Sequence, residues 1–99
     1  MALLAISVAP GGTGGTSVSD YVAKAIQVAR DDGRVNVELG PMFSTLEGSF
    51  EDVWDVARKM HQSLVDQGAP RIATVIKIDD RRDKESTMAS KLDAVNRKL

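Results

Sequence analysis

The stretch from Val35 to Glu47, VNVELGPMFSTLE, decides the fold, because it holds two short strand patterns separated by a Gly-Pro break. Residues 35–39 alternate apolar and polar side chains, as a half-buried strand does. The break at Gly40-Pro41 ends that strand, and residues 42–47 are predicted to form another. This pair of strands therefore connects the first half of the chain to the second.

Strand and helix patterns flank this segment on both sides. Residues 3–8 form an apolar run that ends at Pro-Gly-Gly, which indicates a buried central strand, and residues 71–79 indicate a last strand. Apolar residues recur with helical spacing over residues 18–29 and again over residues 50–64. In the second pattern Trp54 and Phe50 share the apolar face, which favours core packing over an aromatic platform for a ring. The capping signals are Ser17 with Asp20 and Ser49 with Asp52 at the helix starts, and Gly33 and Gly68 at the ends.

A third helix is predicted at the end of the sequence, where Met88, Leu92, Val95 and Leu99 form a narrow apolar stripe. The element order is therefore β-α-β-β-α-β-α. Two β-α-β units joined by a short connection most economically form a four-stranded antiparallel sheet with both helices on one face, the ferredoxin-like α+β arrangement. At 99 residues the chain is expected to be a single domain, residues 1–99, with an extra C-terminal helix.

One face of this sheet is expected to remain uncovered by helices. The period of two assigns to the helix side Leu4, Ile6, Val8, Val35, Val37, Leu39, Met42, Leu46, Ile72, Ile76 and Ile78. The open side then carries Leu3, Ala5, Ser7, Asn36, Glu38, Phe43, Thr45, Glu47, Ala73, Val75 and Lys77. This mixture is too apolar for a hydrated surface and too polar for an ordinary core. It predicts that chains associate through their sheets, with polar side chains lining a pocket or bonding one another.

Composition argues against several classes of function. With 13 Lys and Arg against 14 Asp and Glu, the electrostatic attraction to nucleic acid is small, and we expect no such partner. Cysteine is absent and His61 is the single histidine, so we expect no metal site and no thiolate chemistry. No nucleophile or second ligand lies at a suitable spacing from His61, which favours a half-exposed structural histidine. The apolar run at residues 2–9 is too short for a membrane span and lacks a basic leader. We expect a soluble, cytoplasmic protein without membrane contact.

Three segments are candidates for binding. Thr45 and Glu47 share a face at the end of the third strand, beside Ser7 if the first and third strands are neighbours. A carboxylate there can bind an amino-substituted heterocycle or a cation, or it has a structural role at the sheet rim. The Gly/Thr/Ser loop at residues 11–19 is either an anion site before a helix or a flexible connection. The charged turn at residues 79–84 indicates a solvated cap or a salt-bridge network.

Several segments together resemble a known family. They are residues 10–23 (PGGTGGTSVSDYVA), 46–48 (LEG) and 76–84 (IKIDDRRDK), with Thr87, Lys91 and the Lys98-Leu99 ending. Because His61, Gly68 and Arg71 also match, the chain resembles the thiamine-binding YkoF-like family over essentially its whole length. The resemblance implies a ferredoxin-like fold, dimers and often tetramers formed through the sheets, and binding of thiamine or its hydroxymethylpyrimidine part. It implies no established catalysis and no required cofactor.

The resemblance also implies a pocket near the sheet. The assigned ligand-binding positions are Ser7, Phe43, Thr45 and Glu47, with Thr16 and Ser17 at the mouth. We expect a noncatalytic binding module, a homodimer or homotetramer, whose Glu47 recognises the aminopyrimidine edge while Phe43 and Val75 contact the rings. The alternative is an oligomeric interaction or scaffold protein without affinity for thiamine. An enzyme is the least favoured interpretation, because the sequence offers no nucleophile paired with a base.

Overall fold

The computed structural model describes residues 1–14 and 18–99. Within these ranges it contains three helices and four strands in the predicted order. They are β1 (Ala2–Gly11), α1 (Val18–Asp32), β2 (Asn36–Glu38), β3 (Ser44–Gly48), α2 (Phe50–Asp66), β4 (Arg71–Asp80) and α3 (Met88–Asn96). The prediction of a ferredoxin-like α+β fold with an extra C-terminal helix is confirmed.

The four strands form one antiparallel sheet in the order β2-β3-β1-β4. Strand β1 lies in the centre and pairs with β4 along its whole length and with β3 from Ala2 to Ile6. The register places Ala5 opposite Thr45 on one side and opposite Lys77 on the other. The first and third strands are therefore neighbours, as the predicted site requires, and β2 and β4 are the edges.

The core lies between the sheet and helices α1 and α2. Alternate residues of β1 point toward the helices, and Leu4, Ile6 and Val8 are buried there. The helices contribute Ala25, Ile26 and Ala29 from α1 and Val53, Val56, Ala57, Met60 and Leu64 from α2. Full burial of a side chain the size of Leu or Ile contributes about 1.5–3 kcal/mol. Both long helices are thereby drawn to the same face of the sheet.

The helix ends follow the predicted signals. At the start of α2 the hydroxyl of Ser49 accepts a hydrogen bond of 3.1 Å from the backbone amide of Asp52. Gly33 and Gly68 follow α1 and α2 with φ angles of +78° and +86°, a backbone region that favours glycine. The cap predicted at Ser17 lies outside the described residues.

The connection between β2 and β3 is longer than predicted. Strand β3 begins at Ser44, and both Leu39 and Met42, which were assigned to the helix side, are exposed. Gly40 gives the physical reason, because a Cβ atom there would lie only 2.0 Å from the carbonyl oxygen of Phe43. The chain folds back on itself so closely at this turn that residues 40–43 do not extend along the sheet.

A largely buried carboxylate joins the end of α1 to α2. Asp32, whose side chain is 5% exposed, accepts hydrogen bonds of 2.7 Å from Arg34 Nε and 2.7 Å from Lys59 Nζ. Arg34 also donates to Asp55 of α2 at 2.5 Å. The hydrogen bonds from Arg34 and then from Lys59 hold the pKa of Asp32 well below its ordinary value. Folding therefore stabilises the ionised form of the Asp32 carboxyl group.

Replacing Asp32 by Asn should lower the thermal unfolding midpoint at pH 7. Because the folded-state pKa lies below the unfolded one, the carboxylate stabilises the fold above about pH 4 and loses that contribution at lower pH. Thermal unfolding followed by circular dichroism should show the difference from the parent shrinking between pH 5 and pH 3. Asp31→Asn, at the exposed neighbour, is the matched control. A difference that stays constant with pH would contradict this account.

Candidate functional site

The face of the sheet opposite α1 and α2, called the open face below, is built from alternate residues of all four strands. The strand registers arrange these residues in rows across the sheet. One row consists of Asn36, Glu47, Leu3 and Asp79, and the next consists of Glu38, Thr45, Ala5 and Lys77. Ser7 and Val75 are paired in the row after that. Charged groups therefore flank a centre of small side chains.

The centre of the open face carries three short side chains, Ala5, Ser7 and Thr45, which are called the trough below. All three side chains are short and only partly exposed. Phe43, which immediately precedes β3, is 40% exposed, and Val75, which pairs with Ser7, is 55% exposed. Side chains this short leave room for a flat ring above them, and the two hydroxyls can donate to it or accept from it.

Glu47 lies at one end of the open face and is only 8% exposed. Its Oε1 accepts a hydrogen bond of 2.8 Å from Asn36 Nδ2, and its Oε2 accepts one of 2.7 Å from the backbone amide of Met88. The second bond ties the start of α3 to the sheet, where a negative charge also interacts favourably with the helix dipole. The sequence allowed two roles for Glu47, ligand recognition and a structural role, and these bonds give it a structural one.

Helix α3 is fixed by polar contacts near its start. Thr87 and Ser90 form a capping box, with amide-to-hydroxyl distances of 3.0 Å and 2.9 Å. One turn further, Lys91 forms an ion pair of 2.5 Å with Asp79 of β4. Within α3, which is described throughout, no residue is buried, and Leu92 and Val95 are exposed. Its apolar stripe does not contribute to the core of its own domain.

A pocket of about 350 Å³ lies between α3 and the open face. It is lined by Leu3, Ala5, Thr45, Lys77, Ile78, Asp79 and Lys91. The hydrogen bond from Lys91 lowers the pKa of Asp79, and the charges of Arg81 and Lys77 act in the same direction. The pocket connects part of the trough with this group of cations.

The structure brings the predicted site residues together only in part. Ser7 and Thr45 belong to the trough, Phe43 lies just before β3, and Glu47 lies one row from Thr45, next to α3. Thr16 and Ser17 lie outside the described residues. The role of these six residues in ligand binding stays a prediction. The sequence analysis missed three pocket residues, Lys77, Asp79 and Lys91. The contact between Lys91 and β4 depends on the path of the chain from β4 to α3, which the sequence pattern does not give.

A second groove, of about 560 Å³, lies between α2 and the edge strand β4 on the helix side of the sheet. Phe50, Trp54 and Ile76 are among its lining residues. The sequence favoured core packing for Trp54, and this is wrong, because the side chain is 49% exposed beside the last strand of the sheet. In the same groove His61 Nδ1 lies 2.6 Å from Thr74 Oγ1, which suits the predicted structural histidine.

The charged turn after β4 makes its ion pairs within the chain. Arg81 donates to Asp83 at 2.7 Å and Arg82 donates to Asp80 at 2.8 Å. The guanidinium of Arg82 also lies 5.8 Å from the ring centre of Phe50, within the range of a cation–π contact. The salt-bridge interpretation of this turn is confirmed.

In the part of the chain covered by residues 1–14 and 18–99, no three acidic or histidine side chains are grouped to hold a metal ion. No helix in these ranges has the length and apolar character needed to cross a membrane.

Known proteins resemble this chain along nearly its whole length. The model of a family described as "Thiamine-binding protein" matches residues 4–96. UPF0045 protein YqgV of Bacillus subtilis is 38% identical over 102 residues, covering all of this chain and 98% of YqgV. Hypothetical protein MJ1052 of Methanocaldococcus jannaschii has a solved structure with a TM-score of 0.85 at 34% identity, covering 96% of both chains. A Thermotoga maritima structure, described as a candidate thiamine biosynthesis or salvage protein, shares the fold, with a TM-score of 0.76 at 24% identity over 95% of this chain and 97% of that one.

Replacing Glu47 by Ala should loosen α3, because the amide of Met88 loses its acceptor and the helix start loses a favourable charge. Hydrogen exchange over residues 88–91 should accelerate by about tenfold, the effect expected for one hydrogen bond to a charged group. Glu38→Ala removes an exposed carboxylate one row away on the same face and should leave this exchange unchanged. Equal exchange in the parent and both variants would show that Glu47 does not hold the helix.

Proposed function

The chain belongs to the thiamine-binding protein family, and on that premise we propose that it is a noncatalytic binding protein for thiamine or its hydroxymethylpyrimidine part. The observation that carries the proposal is the trough of small side chains on a sheet face that the two long helices leave open. A ring lying on Ala5 meets the hydroxyls of Ser7 and Thr45 and apolar surface at Val75. The description of the Thermotoga maritima relative as a candidate thiamine biosynthesis or salvage protein agrees with this ligand class.

In this proposal Thr45 and Glu47 recognise the aminopyrimidine edge, and Phe43 and Val75 contact the rings. The two carboxylate oxygens of Glu47 each accept one hydrogen bond from the chain. A carboxylate has about four lone-pair positions, so an amino group of a ligand can still donate to it. The exposed Glu38, in the same row as Thr45, adds a second negative charge near a cationic ring. Recognition by Glu47 would therefore act on a group that also holds α3.

The proposal includes no reaction and no required cofactor. Recognition would use hydrogen bonds, ring contacts and charge, and the single histidine already has a partner in Thr74 on the helix side of the sheet. The proposed location is the cytoplasm. A tagged copy found mainly in a membrane or extracellular fraction would overturn that location.

The proposal also includes a homo-oligomer, a dimer or tetramer, that forms through the open faces of the sheets. The exposed apolar side chain of Val75 on that face supports it, as does Phe43, which is exposed just before β3, since apolar surface is typical of association sites. The apolar stripe of α3, with Leu92 and Val95 exposed, supports it too, because a second chain would shield it from water. A small domain gains relatively more from such burial than a large one.

Isothermal titration calorimetry with thiamine and with hydroxymethylpyrimidine tests the ligand. We expect saturable binding to the parent, and a Kd raised about five- to tenfold in Thr45→Val, because one hydrogen bond is lost at nearly constant volume. Thr74→Val removes a hydroxyl on the opposite side of the sheet and should leave the Kd unchanged. Absence of heat with both ligands would overturn the proposal and favour the scaffold interpretation, provided that the protein remains oligomeric.

Replacing Val75 by Asp should dissociate the oligomer, because stacking of two open faces would bury the new carboxylates without partners. Multi-angle light scattering should show a smaller particle, while circular dichroism shows an unchanged fold. Val65→Asp, an equally drastic change at an exposed position of α2, is the matched control and should keep the parent's mass. An unchanged mass in Val75→Asp would exclude the open face as the interface.

A further inference from the structure

The pocket beside the trough contains two lysines from different parts of the fold. Lys77 lies on β4, directly opposite Ala5 of the trough, and Lys91 lies in the second turn of α3. Lys91 is brought to the sheet by its ion pair with Asp79, two residues from Lys77 along the same face of β4. Both ammonium groups therefore border one pocket that continues into the trough.

The charges around this pocket favour an anion. Asp79 is the one carboxylate among its lining residues, against two lysines. Arg81 lies close enough to act on Asp79 as well, although its own hydrogen bonds go to Asp83. In the described residues Lys77 makes no ion pair. Glu47 is separated from Asp79 by Leu3 in the same row. Its carboxylate already accepts hydrogen bonds from Asn36 and from the first amide of α3.

The open face is also polarised from one edge to the other. The row that contains Thr45 and Ala5 begins with Glu38 on β2 and ends with Lys77 on β4. With neighbouring strands about 4.8 Å apart, these two edges lie roughly 14 Å from each other. A ligand whose amino-substituted ring lies toward Glu38 and whose anionic group lies toward Lys77 matches the direction of this row.

We propose that the pocket between Lys77 and Lys91 binds the phosphate group of a phosphate ester whose ring lies in the trough. The inference rests on the proposed function and specifies the ligand class as phosphorylated instead of free. A phosphate monoester carries a charge of about −1.5 to −2 near neutral pH. The two ammonium groups exceed the single carboxylate of Asp79 by one positive charge, so the pocket attracts such an anion. Lysine binds phosphate as a point charge and needs no fixed fork geometry, which suits side chains from two separate elements.

Calorimetry at low ionic strength with thiamine monophosphate, thiamine and inorganic phosphate tests the inference. The monophosphate should bind the parent about tenfold more tightly than thiamine, since it adds two charge-assisted contacts. Lys77→Gln should abolish that advantage, measured as the ratio of the two Kd values in the same variant. Lys91→Gln should abolish it as well, and the same ratio corrects for any change that the loss of its ion pair with Asp79 causes in both affinities. Lys24→Gln, an exposed lysine of α1, is the control and should keep the advantage.

The outcomes separate this inference from the proposed function. Equal affinity of the parent for thiamine and its monophosphate would overturn the phosphate site and leave thiamine binding intact. A preference for the monophosphate that survives in Lys77→Gln would overturn the location, because this lysine makes no contact that holds α3. If neither ligand binds, both proposals are wrong. Inorganic phosphate binding as tightly as the monophosphate would also overturn the inference, because the ring would then contribute nothing.

Discussion

The alternation of side-chain size along β1 is the constraint on which the rest of the structure depends. Leu4, Ile6 and Val8 point to one side, and Ala5 and Ser7 point to the other. Burial of the large apolar residues away from water is favourable, and it draws α1 and α2 to the same face of the sheet. Because β1 is the central strand, its small residues lie in the middle of the opposite face. The same ten residues therefore produce both the core and the trough, and a shift of register by one residue would exchange them.

Elements with a strong period could be predicted from the sequence, and the irregular turn could not. The apolar spacing of both long helices and the Ser49 and Gly68 signals agree with the structure. Alternation alone extended the third strand back to Met42, which is exposed. What decides this position is a contact across the turn, between Gly40 and the carbonyl of Phe43. No pattern of hydrophobic and polar letters contains such a backbone distance.

The residues of the open face could be predicted from the sequence, but the residues that contact them from other parts of the chain could not. A period of two is enough to place Thr45 and Glu47 together, and the register confirms that both lie on strand β3 in adjacent rows. The bond from the Met88 amide to Glu47 joins residues 41 positions apart, so it depends on the path of the chain after β4. The prediction that Trp54 packs in the core is wrong for a related reason. Its helical position is that of a core residue, but the sheet ends at β4 before it can cover that side of α2.

Helix α3 has nine residues and no buried one, a length at which an isolated helix is marginal in water. Its order must come from its first turns, where the capping box, Glu47 and the Lys91–Asp79 pair supply hydrogen bonds and charge. Glu47 and Lys91 also border the surface on which a ligand would lie. Under the proposed function, a ligand that draws on either side chain would compete with a contact that holds α3. Under the proposed function, occupancy of the open face and presentation of the terminal helix to a second chain would therefore be linked through these two side chains.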